Sequence, residues 1–381
     1  MFNFSREDTG LIAKWWRNVD KQILSLFIFL FFLGLFFSFS STSSVVAEKM
    51  NKETYFFFTR HLVFFLISIF LLIFISMQEK NKINTFIFPV FMLAIFLLIL
   101  VPLIGVEVKG SKRWLDLIIF PRFQPIELVK PLFILSVAKV IVLNNKLNIY
   151  GRYLFSLFVL AIIDILLVNQ PDLGQTLLLT ASWVAMVFVS GFNMFILIIF
   201  GLSILIGISL LIYIFPEKFG YVFLRVQTFL NPKTGDNFQS QKALDAIKQG
   251  GLTGQGMGEG ILKDKVPEAH TDYIIAIVSE EFGALFVLFI VTLFLILGYK
   301  VLNKVFLEND EFIKLALVGL ISLLIIQTFI HIGVNTRLLP TTGMTLPFLS
   351  YGGSSLIGNS IIAGIILNFT RNDNKRFFNH E

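Results

Sequence analysis

Ten runs of mostly apolar residues constrain this chain more than any other feature. They lie near 22–44, 55–77, 84–104, 124–143, 152–168, 173–191, 193–215, 272–299, 311–336 and 345–370. Each approaches the roughly 20 residues an α-helix needs to cross a bilayer core. Lipid offers no partners to backbone N–H and C=O groups, and a helix satisfies them within each run. The expected fold class is an all-α polytopic membrane protein with ten transmembrane helices. Composition agrees: of 381 residues, 56% are hydrophobic and 15% charged, more apolar side chain than a soluble domain of this length encloses. The 45 Phe accompany many Ile, Asn and Lys, a codon bias rather than an aromatic site. With no Cys, disulfides, thiolate metal sites and thiol nucleophiles are excluded.

The net charge of +6 points to cytoplasmic loops and anionic headgroups, with no nucleic-acid partner. The first 21 residues are polar and mixed in charge, and the following run is long enough to remain a helix, so no cleavable signal is expected. Lys and Arg in short connections set orientation. An inward set comprises Arg6, Lys14, Arg17, Lys21, Lys80, Lys82, Lys146, Arg152, Lys300, Lys304, Arg371, Lys375 and Arg376. Basic residues also occur outside, Lys109, Lys112, Arg113 and Arg122 in one loop and Lys218, Arg225, Lys233 and Lys263 in another. An even span count and a basic tail favour two cytoplasmic termini. The outward segment 216–271 is far longer than any other connection, and loops of that length are functional or disordered. Its apolar piece Ala243 to Ile247 and its glycine run indicate a folded loop within a single integral membrane domain, 1–381.

The glycine run from Gly250 to Gly260 has neither the spacing nor the following Gly-Lys-Ser/Thr of a nucleotide loop. It reads either as tight turns and close backbone approach, or as a nest of N–H groups for an anion. Pro267-Glu268-Ala269-His270-Thr271-Asp272 closes the long loop and leads into the eighth run, and ionisable residues clustered there need a reason. Asp272 has two compatible readings, helix N-cap and general base. His270 is an alternative base or a loop hydrogen-bonding group, and Glu268 a surface ion-pair partner. A metal site from these three would match no helical ligand pattern. Glu127 and Lys130 share a helix face as an expected ion pair. Asp164 and Lys139 are expected inside the bundle or near an interface. The small residues from Ser350 to Ser355 permit close helix packing or a polar cleft.

Together these segments resemble the SEDS family (shape, elongation, division and sporulation). The resemblance rests on Pro267 to Asp272 with Glu280-Glu281-Phe282-Gly283, and on Gly343-Met344-Thr345-Leu346-Pro347-Phe348 with Ser350 to Ser355. Gln170-Pro171-Asp172-Leu173-Gly174 and Arg113-Trp114 with Gln124-Pro125 and Glu127 to Lys130 complete it. Glu268-Ala269 is more similar to the division member than to the elongation member, in which Arg usually stands at Ala269. Three positions depart from the family pattern: Lys242-Ala243 in place of Gln-Ser, Arg337 in place of Gly, and Thr342 in place of Lys.

The resemblance implies a peptidoglycan glycosyltransferase that polymerises lipid II at the outer face of the cytoplasmic membrane during septal synthesis. It implies Asp272 as the catalytic carboxylate. Arg113, Arg225, Lys242 and Lys130 are then candidates to neutralise a pyrophosphate, and Glu127, Glu268, His270 and Ser350 to contact substrate. A divalent cation, Mg2+ or Mn2+, is a candidate cofactor. A class B penicillin-binding protein and other division proteins are the implied partners. Two other readings are a lipid II flippase using Asp164, Glu127 and Lys130, and a non-catalytic division scaffold. Against the flippase, no repeated halves are visible.

Overall fold

The computed structural model describes residues 10–41, 55–108, 111–116, 122–143, 148–214, 216–231 and 238–372. Arg6, Lys109, Lys146, Lys233, Lys375, Arg376 and the end of the first predicted run lie outside these residues. In chain order the helices are α1 (Leu11–Asn18), α2 (Lys21–Ser41), α3 (Phe56–Met77), α4 (Lys80–Ile104), α5 (Ile126–Leu143), α6 (Ile149–Asn169), α7 (Leu173–Val189), α8 (Met194–Ile214), α9 (Pro216–Leu230), α10 (Phe238–Gly250), α11 (Ile274–Leu307), α12 (Glu311–Asn335) and α13 (Gly353–Phe369). A short antiparallel hairpin, β1 (Val106–Val108) and β2 (Ser111–Trp114), follows α4.

Each predicted run contains one helix. Six of them, α2, α3, α4, α6, α11 and α12, are long and apolar enough to cross a membrane, and α7 and α13 are shorter apolar helices. Two boundaries differ most from expectation. The tenth helix starts at Gly353 rather than near 345, because Pro340, Gly343, Pro347 and Gly352 keep the preceding chain irregular. The eighth runs on to Leu307 and is broken inside at Gly283 (φ 82°, ψ 171°). The long loop 216–271 contains α9 and α10, the second of them over the predicted apolar piece.

Packing sorts these similarly apolar helices into centre and rim. α12 and α13 bury most of their side chains, α13 against α3 and α12 against α5, α7 and α11. α3, α4 and α8 instead turn large apolar residues outward, such as Phe70, Leu103 and Phe195, as lipid permits. The irregular segment before α13 is pinned by Phe348, which adopts a left-handed φ of 66° and packs edge-on against Phe31 (4.9 Å) and Phe27 (5.5 Å).

The bundle has two distinct ends. At one, Lys304 pairs with Asp20 (2.8 Å), Lys300 donates to Gln22 (2.7 Å), and Arg371 reaches the carbonyls of Ser76 and Gln78. There α1 docks through Trp15, whose indole donates to Ser76 Oγ (2.9 Å). The opposite end holds the starts of α3, α5, α7, α11 and α13, and a cavity opens there.

Candidate active site

The cavity measures about 1200 Å³ and is walled by segments distant in sequence. α3 supplies Arg60, Val63, Phe64 and Ile67, and β2 supplies Arg113 and Trp114. Glu127, Gln175 and Arg225 follow from α5, α7 and α9; the loop before α11 adds Glu268, Thr271 and Asp272. Thr341, Gly343, Met344, Thr345 and Tyr351 complete it.

Asp272 does not cap α11. Tyr273 holds that position without a side-chain cap bond. The amide of Asn335, at the end of α12, performs the joining instead. Its Nδ2 donates to the Asp272 carbonyl (3.0 Å), and its Oδ1 accepts from the Ala276 N–H (3.2 Å). Ser350 Oγ donates to the Thr271 carbonyl (2.7 Å) and accepts from the Leu346 N–H (2.8 Å). Glu268, with φ 57°, turns its carbonyl to the N–H groups of Thr271 (3.1 Å) and Tyr273 (3.2 Å). The loop is therefore held through the backbone, and the Asp272 side chain lines the cavity. A Cβ built on Gly343 would stand 3.6 Å from Asp272 Oδ2 and 3.8 Å from Arg113 Nη1, so carboxylate and guanidinium both border that glycine. The Tyr273 hydroxyl is pushed up to about 12 by burial and, next, by the Asp272 charge.

Arg113 is clamped from behind. It donates to the carbonyls of Gln170 (3.1 Å) and Pro171, and its Nη1 lies 3.7 Å from Asp172 Oδ2. Asp172 caps α7 through the Gln175 N–H (3.4 Å). Burial raises its pKa and the charge of Arg113 opposes that rise. Arg225 donates to the Thr341 carbonyl (3.2 Å). Its pKa is lowered by burial first and then by repulsion from Arg113, with Asp172 and Asp272 countering. Two mutually repelling guanidiniums thus face one cavity.

Arg113, Glu127, Arg225, Glu268 and Asp272 meet around the cavity, and four other candidates do not line it. Lys130 is fully buried behind it, 2.8 Å from Glu127 and 3.3 Å from Gln327 Oε1, as an internal ion pair. Lys242 sits on α10, 3.9 Å from Asp245 and over the ring of Phe238. The His270 ring packs against Phe57 (4.7 Å) and Tyr351 (5.6 Å). Ser350 is the backbone tie already described. Asp164, on α6, accepts from Thr180 Oγ1 (2.9 Å) and does not line the cavity with Glu127. Sequence reasoning missed Arg60, Gln175 and Asn335. A lone charge inside the second apolar run was the available signal for Arg60; nothing local marked Asn335.

The glycine run is not an anion nest. The N–H groups of Gly254, Gln255 and Gly256 donate to the carbonyls of Gly250 (2.8 Å), Glu280 (2.9 Å) and Glu281 (3.0 Å). No group of three or more His, Asp or Glu among the described residues is placed to hold a metal ion. A divalent cation here would take most ligands from substrate oxygens and water.

An apolar helical bundle with Asp272, Arg113 and Arg225 among the charged residues of one large cavity defines a polytopic membrane protein with a polar chamber at one end. The sequence matches the family model described as "Cell cycle protein", covering FtsW, RodA and SpoVE, over residues 21–375. It is 34% identical over 369 residues to the probable peptidoglycan glycosyltransferase FtsW of Caulobacter vibrioides, covering 97% of this chain and 93% of that protein. A Geobacter protein of the same name is 34% identical over 367 residues, covering 92% and 96%. The fold is similar to a chain solved in work on "structural coordination of polymerization and crosslinking by a peptidoglycan synthase complex". There the TM-score is 0.72 at 23% identity, over 92% of this chain and 97% of that one. The rod shape determining protein RodA of Thermus thermophilus gives a TM-score of 0.64 at 22% identity, over 93% and 97%. The chain belongs to the FtsW/RodA/SpoVE family.

Proposed function

We propose that the protein is a peptidoglycan glycosyltransferase that polymerises lipid II for the septal wall. The observation that carries this reading is Asp272 in a shared cavity with Arg113 and Arg225, beside an apolar wall of Val63, Phe64 and Ile67. The names of its relatives support the same reaction. Asp272 accepts the proton from the 4-hydroxyl of the acceptor GlcNAc. That oxygen attacks the anomeric carbon of the donor MurNAc with inversion, and undecaprenyl pyrophosphate departs. The leaving group is already activated, so alignment and charge stabilisation are the main tasks. Arg113 and Arg225 meet the pyrophosphate, and the α3 wall receives the polyprenyl chain.

In this reading the cavity end faces outward, and the end with Lys300, Lys304 and Arg371 faces the cytoplasm with both termini. The chain acts as one membrane domain, at the septum, with a class B penicillin-binding protein as partner. The deciding assay is polymerisation of purified lipid II with that partner present. Asp272→Asn should fold, because the loop is held by backbone ties, and should lose activity by about 100-fold or more. Wild-type glycan synthesis by that variant removes Asp272 as the base. Movement of fluorescent lipid II between leaflets without polymer replaces the reading with a flippase.

A further inference from the structure

A second charged cluster, outside the cavity, bears on how Asp272 is placed. The break at Gly283 deprives α11 of regular hydrogen bonds, and the glycine run replaces them. Gln255 and Gly256 donate to the Glu280 and Glu281 carbonyls, while Ala284 and Leu285 donate to the carbonyls of Gly251 (2.9 Å) and Leu252 (3.2 Å). The approach is close enough that a Cβ on Gly254 would lie 2.2 Å from the Glu281 carbonyl oxygen. The segment Ile274 to Phe282 is thus a short helix of its own, with Asp272 just before its start and this junction at its end.

Side chains lock the junction. Lys263 Nζ donates to Glu281 Oε1 (2.9 Å) and to the Gly258 carbonyl (2.8 Å). The Lys263 and Glu281 side chains are 10% and 1% exposed. Ser40, from α2, donates to Glu281 Oε2, and the neighbouring Glu280 Oε1 accepts from the Leu262 N–H (2.6 Å). Two other parts of the chain, the turn after the glycine run and α2, therefore converge on the one carboxylate that the broken helix carries. Glu281 is nine residues from Asp272, about 13 Å along a helix.

We propose that Ser40, Lys263 and Glu281 form a positioning cluster that sets how far Asp272 reaches into the cavity. The inference rests on Asp272 being the reacting carboxylate. A helix anchored at both ends holds its first residues in one place, Asn335 and Ser350 fixing the start and Glu281 the finish. Losing the charge at Glu281 frees Lys263 from the helix and lets the short segment shift against the loop. A displacement of about 1 Å at a reacting group costs on the order of 100-fold in rate.

The test uses the full chain with its transpeptidase partner and lipid II, and compares wild type, Glu281→Gln, Lys263→Met and the swap Lys263→Glu/Glu281→Lys. Hydrogen exchange is followed in the same samples. The expected result is a 10- to 100-fold fall in kcat for each single variant, with KM changed less than about threefold, the mark of lost alignment rather than lost binding. Exchange should rise in 250–282 and stay unchanged in α13. The swap should recover part of both. Unchanged rate and exchange in Glu281→Gln overturn the proposal. So does a loss of protection throughout the molecule without rescue by the swap, which reduces the pair to general stability. If exchange changes as expected while Asp272→Asn polymerises normally, the anchoring stands and the assignment of the base falls.

Discussion

Asp172 and Lys130 are charged residues kept inside by opposite means. Asp172 has its pKa raised above the ordinary 3.8, chiefly by burial. A carboxyl raised in the folded state contributes stability that is fully present below its unfolded pKa and is lost as pH rises through the folded one. Thermal stability of the wild type should therefore decline from about pH 4 upward through that elevated value, and Asp172→Asn should lack this component. Asn still caps a helix. Arg113 loses its countercharge in that variant, so polymerisation should drop by about 10-fold, since a misplaced clamp loses alignment. Lys130 lies 2.8 Å from Glu127 with both side chains almost wholly enclosed. Lys130→Met strands the carboxylate and should cost about 3–5 kcal/mol in unfolding experiments, with Glu127→Gln added to it restoring part of the loss. The pair was readable from i,i+3 spacing. That Lys130 stands behind the cavity while Glu127 lines it was not, because spacing fixes a helix face and says nothing of its neighbour.

At the scale of elements, the broken α11 is the informative case. Gly283 has φ 82°, and a Cβ there would meet the Leu252 carbonyl oxygen at 2.2 Å. Gly283→Ala should destabilise by more than about 1 kcal/mol. Proteolysis should then open 250–262 first, and an intact loop at wild-type protease levels would show that the junction tolerates a side chain. The eight-residue delay before α13 has a similar local origin, in prolines and glycines that an apolar average overlooks. Arg337 adopts φ 56°, which gives a physical reason for the glycine the family pattern places there. Helix ends were the least legible feature. Hydropathy is averaged over a window, whereas a cap or a break depends on one residue's backbone and on the neighbour that receives it.

The whole molecule presents a cavity at one end and basic residues bound into helix ends at the other. Because the chain has no cysteine, single cysteines report its sidedness. Leu252→Cys, 69% exposed near the cavity end, should react with an impermeant maleimide in intact spheroplasts. Glu79→Cys, on the opposite α3–α4 turn and 72% exposed at its side chain, should react only after lysis. The reverse pattern inverts the orientation.

What the sequence determined by itself is where the apolar helices lie along the chain, though not the short α1 and α9. In lipid each apolar run must satisfy its own backbone, so length and composition suffice to place it. Only the tertiary structure decided the site. Asp272, Arg113 and Arg225 come from separate segments, and Asn335, with no local mark in the sequence, holds the Asp272 backbone. These meetings depend on packing between helices, which hydropathy does not encode.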